Sequence, residues 1–132
     1  MRVLALDYGS ARCGCAVSDP TETIVTPIEP VQRPRSRRGM LTLVRLVQDH
    51  EVARVVVGLP LSLRGGDSEQ TRETREFAER LDRRLGDDVA VEMYDERFTT
   101  RMAQRLDVES SASEDSRAAA HLLESWISAR AH

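Results

Sequence analysis

The sequence predicts an α/β domain, a mixed sheet with helices on its faces. Three observations lead there. Near-continuous apolar runs of strand length occur at Val3-Leu4-Ala5-Leu6 and Val55-Val56-Val57, too rich in branched residues and too short for helices. Segments of helical periodicity follow the later strands. The order along the chain becomes strand, strand, strand, and then helix and strand in alternation. Right-handed crossovers lay such later strands parallel to the first and cover the sheet with helices.

Residues 2–7 and 13–18 form the opening pair, joined by Tyr8-Gly9-Ser10-Ala11-Arg12, which is short enough for a hairpin. Residues 24–31 are extended but contain Pro27 and Pro30. Proline cannot donate to a ladder, so this strand belongs at an edge. Met40, Leu43, Val44 and Val47 then recur at helical spacing. The next strand ends at Pro60. Asp67 followed by Gln70 resembles a capping box for a second helix, whose inner face is Thr74, Phe77, Ala78, Leu81 and Leu85 and whose stop is Gly86. Residues 89–95 form the last strand. Thr99 or Thr100 caps a short helix with Met102, Ala103 and Leu106, and a final helix runs over 114–129 behind an N-cap in Ser113.

With 132 residues and 40% hydrophobic content, the chain suffices for one domain over 1–132 with a real core. No stretch approaches the roughly 20 apolar residues of a membrane span, and the start lacks the order of a signal peptide, so a cytoplasmic protein with no membrane partner is expected. Net charge is −3 and the pI 5.6, so nucleic-acid binding must use a local patch. Arg33-Pro34-Arg35-Ser36-Arg37-Arg38 offers one, in a Pro-interrupted loop that is not expected to be helical. A solvated linker is an equally good reading of it. Cys13 and Cys15 read as buried free thiols, because neighbours on one strand face have poor bridging geometry and the three histidines complete no familiar zinc spacing.

Three remote carboxylates carry the chemistry. Asp7 ends the first strand, expected to be central, at the carboxyl edge where ligands of α/β sheets bind. Buried there it would need a cation. Asp115 lies four, seven and eleven residues before Ala119, Leu122 and Trp126, and so falls on the stripe that must face the sheet. Glu114 has the same favourable place at the helix start but points elsewhere. In Tyr94-Asp95-Glu96-Arg97, alternation sends Asp95 and Glu96 to opposite sides, and only one reaches the crevice of Asp7. The residues alone do not choose between them. Acids converging from element ends suggest a divalent-metal site. Arg12 pairs Asp7 or holds a phosphate.

Four motifs in order, Asp7-Tyr8-Gly9-Ser10-Ala11-Arg12-Cys13-Gly14, Gly58-Leu59-Pro60-Leu61, Asp95-Glu96-Arg97-Phe98-Thr99-Thr100 and Asp115 before Ala118-Ala119, resemble the YqgF/RuvX family of RNase H-like proteins over nearly the whole chain. The resemblance implies an RNase H-like sheet of five strands in the order 3-2-1-4-5. It also implies a hydrolase that uses Mg²⁺ or Mn²⁺ to cleave phosphodiester bonds in 5′-end processing of pre-16S rRNA during ribosome biogenesis. By motif position the catalytic and metal-binding acids are Asp7, Glu96 and Asp115, with Asp95 the substitute for Glu96. Two-metal hydrolysis, with Asp7 bridging the ions, is the expected mechanism. Arg12, Arg97 and Arg33, Arg35, Arg37 and Arg38 are the expected nucleic-acid contacts, positioning a strand without reading its sequence. The expected partner is an rRNA precursor, within a pre-ribosomal particle, or else branched DNA. Rival readings are a Holliday junction resolvase, a ribosome-assembly binding protein with little catalysis, and an actin-like ATPase, which would need a second such domain. The chain departs from the family in the acidic, small-residue stretch 109–114 and in Arg64, both of which bear on substrate grip.

Overall fold

The computed structural model describes residues 1–60, 68–95 and 113–130. Strands β1 (Arg2–Asp7), β2 (Arg12–Ser18) and β3 (Val25–Gln32) come first, then helix α1 (Arg37–Asp49), strand β4 (Val52–Leu59), helix α2 (Glu69–Leu85), strand β5 (Ala90–Asp95) and helix α3 (Glu114–Arg130). They build a five-stranded sheet in the order β3-β2-β1-β4-β5. β1 pairs antiparallel with β2 and parallel with β4, and β5 continues the parallel half. The predicted architecture and strand order are those observed.

β1 is central because it is apolar on both faces. Leu4 and Leu6 join Val55, Val57, Met40, Leu43, Phe77 and Leu81 under α1 and α2. Val3 and Ala5 join Val56, Ala119, Leu122, Leu123 and Trp126 under α3. Strand alternation therefore assigns each β1 side chain to one helical layer, and Asp7 shares the parity of Val3 and Ala5. β3, with its two prolines, lies at the edge as expected.

Two local expectations are corrected. The cap of α2 is Ser68, whose hydroxyl accepts from the Thr71 N–H at 3.1 Å, one residue later than the acid-and-glutamine spacing implied. Arg37 and Arg38 are helical, not part of the loop. Ser36 caps α1 by accepting from the Gly39 N–H at 3.0 Å, and Pro34 precedes that cap, where a fixed φ obstructs nothing. The short helix expected around Met102 lies outside the described residues.

Candidate nucleic-acid cleavage site

Asp7 is held at the carboxyl end of β1 by its antiparallel partner Gly14. Gly14 is where α3 touches the sheet. A Cβ at this position would stand 1.9 Å from the Asp115 carbonyl oxygen and 2.9 Å from the Ser116 nitrogen, so only glycine lets the first turn of α3 lie on β2. That contact brings Asp115, 101 residues beyond Gly14 in the chain, to the strand next to Asp7. The sequence-based stripe is borne out: Ala119, Leu122 and Trp126 are buried, while Glu114 is exposed.

Ser116 secures this placement. Its hydroxyl accepts from the Cys15 N–H at 3.3 Å and donates to the Ile28 carbonyl, bridging β2 and β3 where their register shifts between Cys13 and Cys15. Ser113 caps the helix by accepting from the Ser116 N–H at 3.2 Å, as predicted. Nothing in a pattern search marks Ser116, since a serine in a first turn is ordinary. Its one signal is a polar residue beside Asp115 on a face that has to be buried.

Arg12 pairs with Asp115, Nε to Oδ2 at 3.1 Å, and not with Asp7. Its side chain is 58% exposed, which leaves the remaining guanidinium donors turned to solvent at the same carboxylate. Cys13 and Cys15 are free and buried. The Cys13 thiol is pushed well above its ordinary range, first by its hydrogen bond with Cys15 and by burial, then by the negative charges of Cys15, Asp7 and Asp115. Both carboxylates thus act on one buried thiol, which packs on the α1 and α2 side of the sheet.

Asp95 ends β5 opposite Leu59 and has the parity of Val91 and Met93, which pack under α2. Tyr94, the residue before it, faces α3 and bonds Ser125 at 3.0 Å. Asp95 therefore belongs to the layer opposite Asp7. Glu96 and Arg97 lie outside the described residues. Among the described residues, no group of three acids, cysteines or histidines is placed to hold a metal ion. Asp7 and Asp115 supply hard oxygen donors at one edge, and Asp115 already holds a cationic guanidinium, so the donor chemistry fits Mg²⁺ or Mn²⁺ with a third donor required.

On the other side of the β1–β2 loop, Tyr8 packs on Phe77 with ring centroids 4.5 Å apart and donates to Glu73 Oε1 at 2.7 Å. Burial, then this hydrogen bond, raises the Tyr8 hydroxyl well above the usual tyrosine range. Glu73 also faces Arg35 at 3.7 Å. Arg33 and Arg35 line an open polar pocket with Ser10, Ala11, Ser36 and Arg80, while Arg37 and Arg38 are exposed on α1 and do not join it. Arg80 was not singled out from the sequence, where it is one of several arginines along a highly charged helix.

The RuvX family, described as Holliday junction resolvase, matches residues 1–129. A protein of Koribacter versatilis named "Putative pre-16S rRNA nuclease" is 40% identical over 112 residues, 85% of this chain and 72% of its own. One of the same name from Maridesulfovibrio salexigens is 34% identical over 134 residues, 96% and 98% of the two chains. Among solved structures, Thermus thermophilus RuvC in complex with Holliday junction substrate has TM-score 0.66 at 15% identity, covering 99% of this chain and 96% of that one. The fowlpox virus resolvase in complex with Holliday junction DNA has TM-score 0.60 at 12% identity and full coverage of both chains. These likenesses identify the fold as RNase H-like, and the match over 129 of 132 residues, with relatives above 30% identity, shows that the chain belongs to the YqgF/RuvX family.

Proposed function

We propose that this chain is a metal-dependent nuclease of the cytoplasm that hydrolyses phosphodiester bonds in 5′-end maturation of pre-16S rRNA, acting as one domain over 1–132 on the pre-ribosomal particle. The observation that carries the reading is the glycine contact between β2 and α3, which sets Asp115 beside the strand pair that ends in Asp7. A packing contact that tight, made to seat an acid at the carboxyl edge of a sheet, suits a shared ligand better than two independent surface charges. The substrate follows the names of the relatives. The fold of the two resolvases supports Holliday junction cleavage as the second reading.

Asp7, Asp115 and Glu96 would hold Mg²⁺ or Mn²⁺, with Glu96 preferred to Asp95 because β5 puts Asp95 in the opposite layer. A divalent ion bound by such acids supplies Lewis acidity and an activated water. The chain's own groups orient the reactants. Arg12 fixes the Asp115 carboxylate by one donor and leaves others exposed, where they can donate to a phosphate. Arg97 and the arginines at 33, 35, 37 and 38 are the further phosphate contacts. They confer affinity that falls with salt and little base preference.

The test is cleavage of a pre-16S fragment, single-stranded RNA and a four-way DNA junction, with and without Mg²⁺ or Mn²⁺. Asp7→Asn, Asp115→Asn and Glu96→Gln should each lose metal-dependent cleavage of the rRNA fragment by at least a hundredfold while remaining folded. Asp95→Asn should stay active. Wild-type turnover in any of the three removes that residue from the site, and cleavage of the junction alone reverses the substrate.

A further inference from the structure

We propose that Arg33, Arg35 and Arg80 form a second phosphate pocket, on the side of the β1–β2 loop away from the acids, that grips the nucleic-acid strand flanking the reacting bond. This deepens the nuclease reading and rests on it for the word flanking.

Two elements supply the three arginines, Arg33 and Arg35 from the loop between β3 and α1 and Arg80 from α2. Arg80 stands on the exposed side of α2 and donates from Nη1 to the Arg35 carbonyl at 3.3 Å, so its guanidinium is fastened to the backbone of the loop before α1. Arg33 takes the left-handed backbone conformation, φ 45°, which a non-glycine residue adopts only when its surroundings enforce it. The enforcement is visible. Its N–H donates to the Ala11 carbonyl at 2.9 Å, its carbonyl accepts from the Ser36 N–H at 2.9 Å and the Ser36 hydroxyl at 2.7 Å, and that oxygen occupies the place of a Gly39 side chain, 2.1 Å from where a Cβ would be. The loop is thereby tied to the β1–β2 hairpin on one side and to α1 on the other.

The pocket lining contains no carboxylate. Glu73 faces Arg35 from α2 at 3.7 Å, and among the described residues no acid pairs with Arg33 or Arg80. Like charges gathered by strained backbone, with one partial counter-charge, are costly unless an anion joins them. On a chain whose net charge is −3, this is a local reversal of sign. Ser10 lines the pocket three residues after Asp7, at most about 11 Å away along the chain. Asp7 has the parity of the α3 layer, whereas Arg80 and Ser36 belong to the α1 and α2 side. A strand reacting at the acids would cross the hairpin loop to reach the arginines, so the pocket takes a neighbouring phosphate and not the one attacked.

Binding of a labelled single-stranded RNA of about a dozen nucleotides, in the full chain carrying Asp7→Asn, tests this without any turnover. Arg80→Gln and Arg35→Gln should each weaken binding severalfold and flatten the slope of log affinity against log salt by about 0.7, the value for one single-strand phosphate contact. The loss should be the same for RNAs of unrelated sequence. Arg80→Lys should restore most of it, and a dinucleotide should not distinguish parent from Arg80→Gln. An unchanged slope in the folded glutamine variants overturns the pocket, as does a loss seen equally with the dinucleotide. Since no cleavage is measured, failure of the nuclease reading would show separately, as an intact salt slope in a wild-type chain that hydrolyses nothing.

Discussion

Ser116 uses one hydroxyl for two strands, accepting from the Cys15 N–H and donating to the Ile28 carbonyl in a place with no water-exposed surface. Replacing it by alanine leaves the buried Cys15 N–H and the half-buried Ile28 carbonyl without this partner. Each such orphan costs about 1–3 kcal/mol, so Ser116→Ala should lower unfolding stability by roughly 2 kcal/mol or more. Because Asp115 is its chain neighbour, cleavage should fall with it. Urea unfolding is the measurement, and an unchanged midpoint would mean that neither partner depends on the hydroxyl. Legibility at this scale was uneven. Asp7 and Asp115 could be picked out because an acid at a strand end and an acid on an apolar stripe both break a pattern. Ser116 and Arg80 break none, since what distinguishes them is the main chain they meet from another part of the sequence. The doubt between Asp95 and Glu96 had a physical form, two faces of one strand; β5 sets Asp95 in the layer opposite Asp7, and Glu96 lies outside the described residues.

Between elements, the bond from Tyr8 to Glu73 joins the end of β1 to α2. The folded Tyr8 value is raised, so the protonated hydroxyl is favoured by folding. This stabilisation is full below the unfolded tyrosine value near 10 and is lost as pH rises above it. The chain contains no lysine, so titration between about pH 9 and 11 belongs to tyrosines and thiols, and comparison with Tyr8→Phe isolates the share of Tyr8. Tyr8→Phe should be less stable than wild type by about 1 kcal/mol at pH 7.5, with the gap narrowing at pH 10.5. A gap independent of pH would assign the effect to packing on Phe77. The elements themselves were largely legible, because branched apolar runs, helical periodicity and paired prolines in β3 each have one physical solution. Caps were less so. Asp67 and Ser68 are both good caps, and the choice between them depends on how the helix meets β4, where the Thr71 hydroxyl donates to the Pro60 carbonyl.

For the whole molecule, acids that gather at one edge must be weighed against the cations near them. Arg12 already compensates Asp115, which leaves Asp7 as the acid whose charge should be relieved by neutralisation. In chelator, Asp7→Asn should melt at or above the wild-type temperature, because like charges disfavour one another when no cation is present. Mg²⁺ or Mn²⁺ at a hundredfold excess over its dissociation constant should stabilise wild type by about 2.7 kcal/mol and Asp7→Asn much less. Thermal melts in chelator and in metal decide it. If Asp7→Asn melts well below wild type in chelator and metal shifts both alike, Asp7 is structural. The strand order 3-2-1-4-5 was legible only through resemblance, since periodicity gives strands and their directions but does not number them across a sheet.

The contact between Gly14 and the Asp115 carbonyl also changes what an intact copy of this protein means. Counting acids is the usual way to decide whether a relative has kept its chemistry. Here the seat of one acid is a missing side chain on another strand, with no room for a single methyl group. A chain that kept every carboxylate but carried alanine at this position would pass that count and still have to move its last helix. In such families, loss of activity can be inherited through a residue that has no functional group at all.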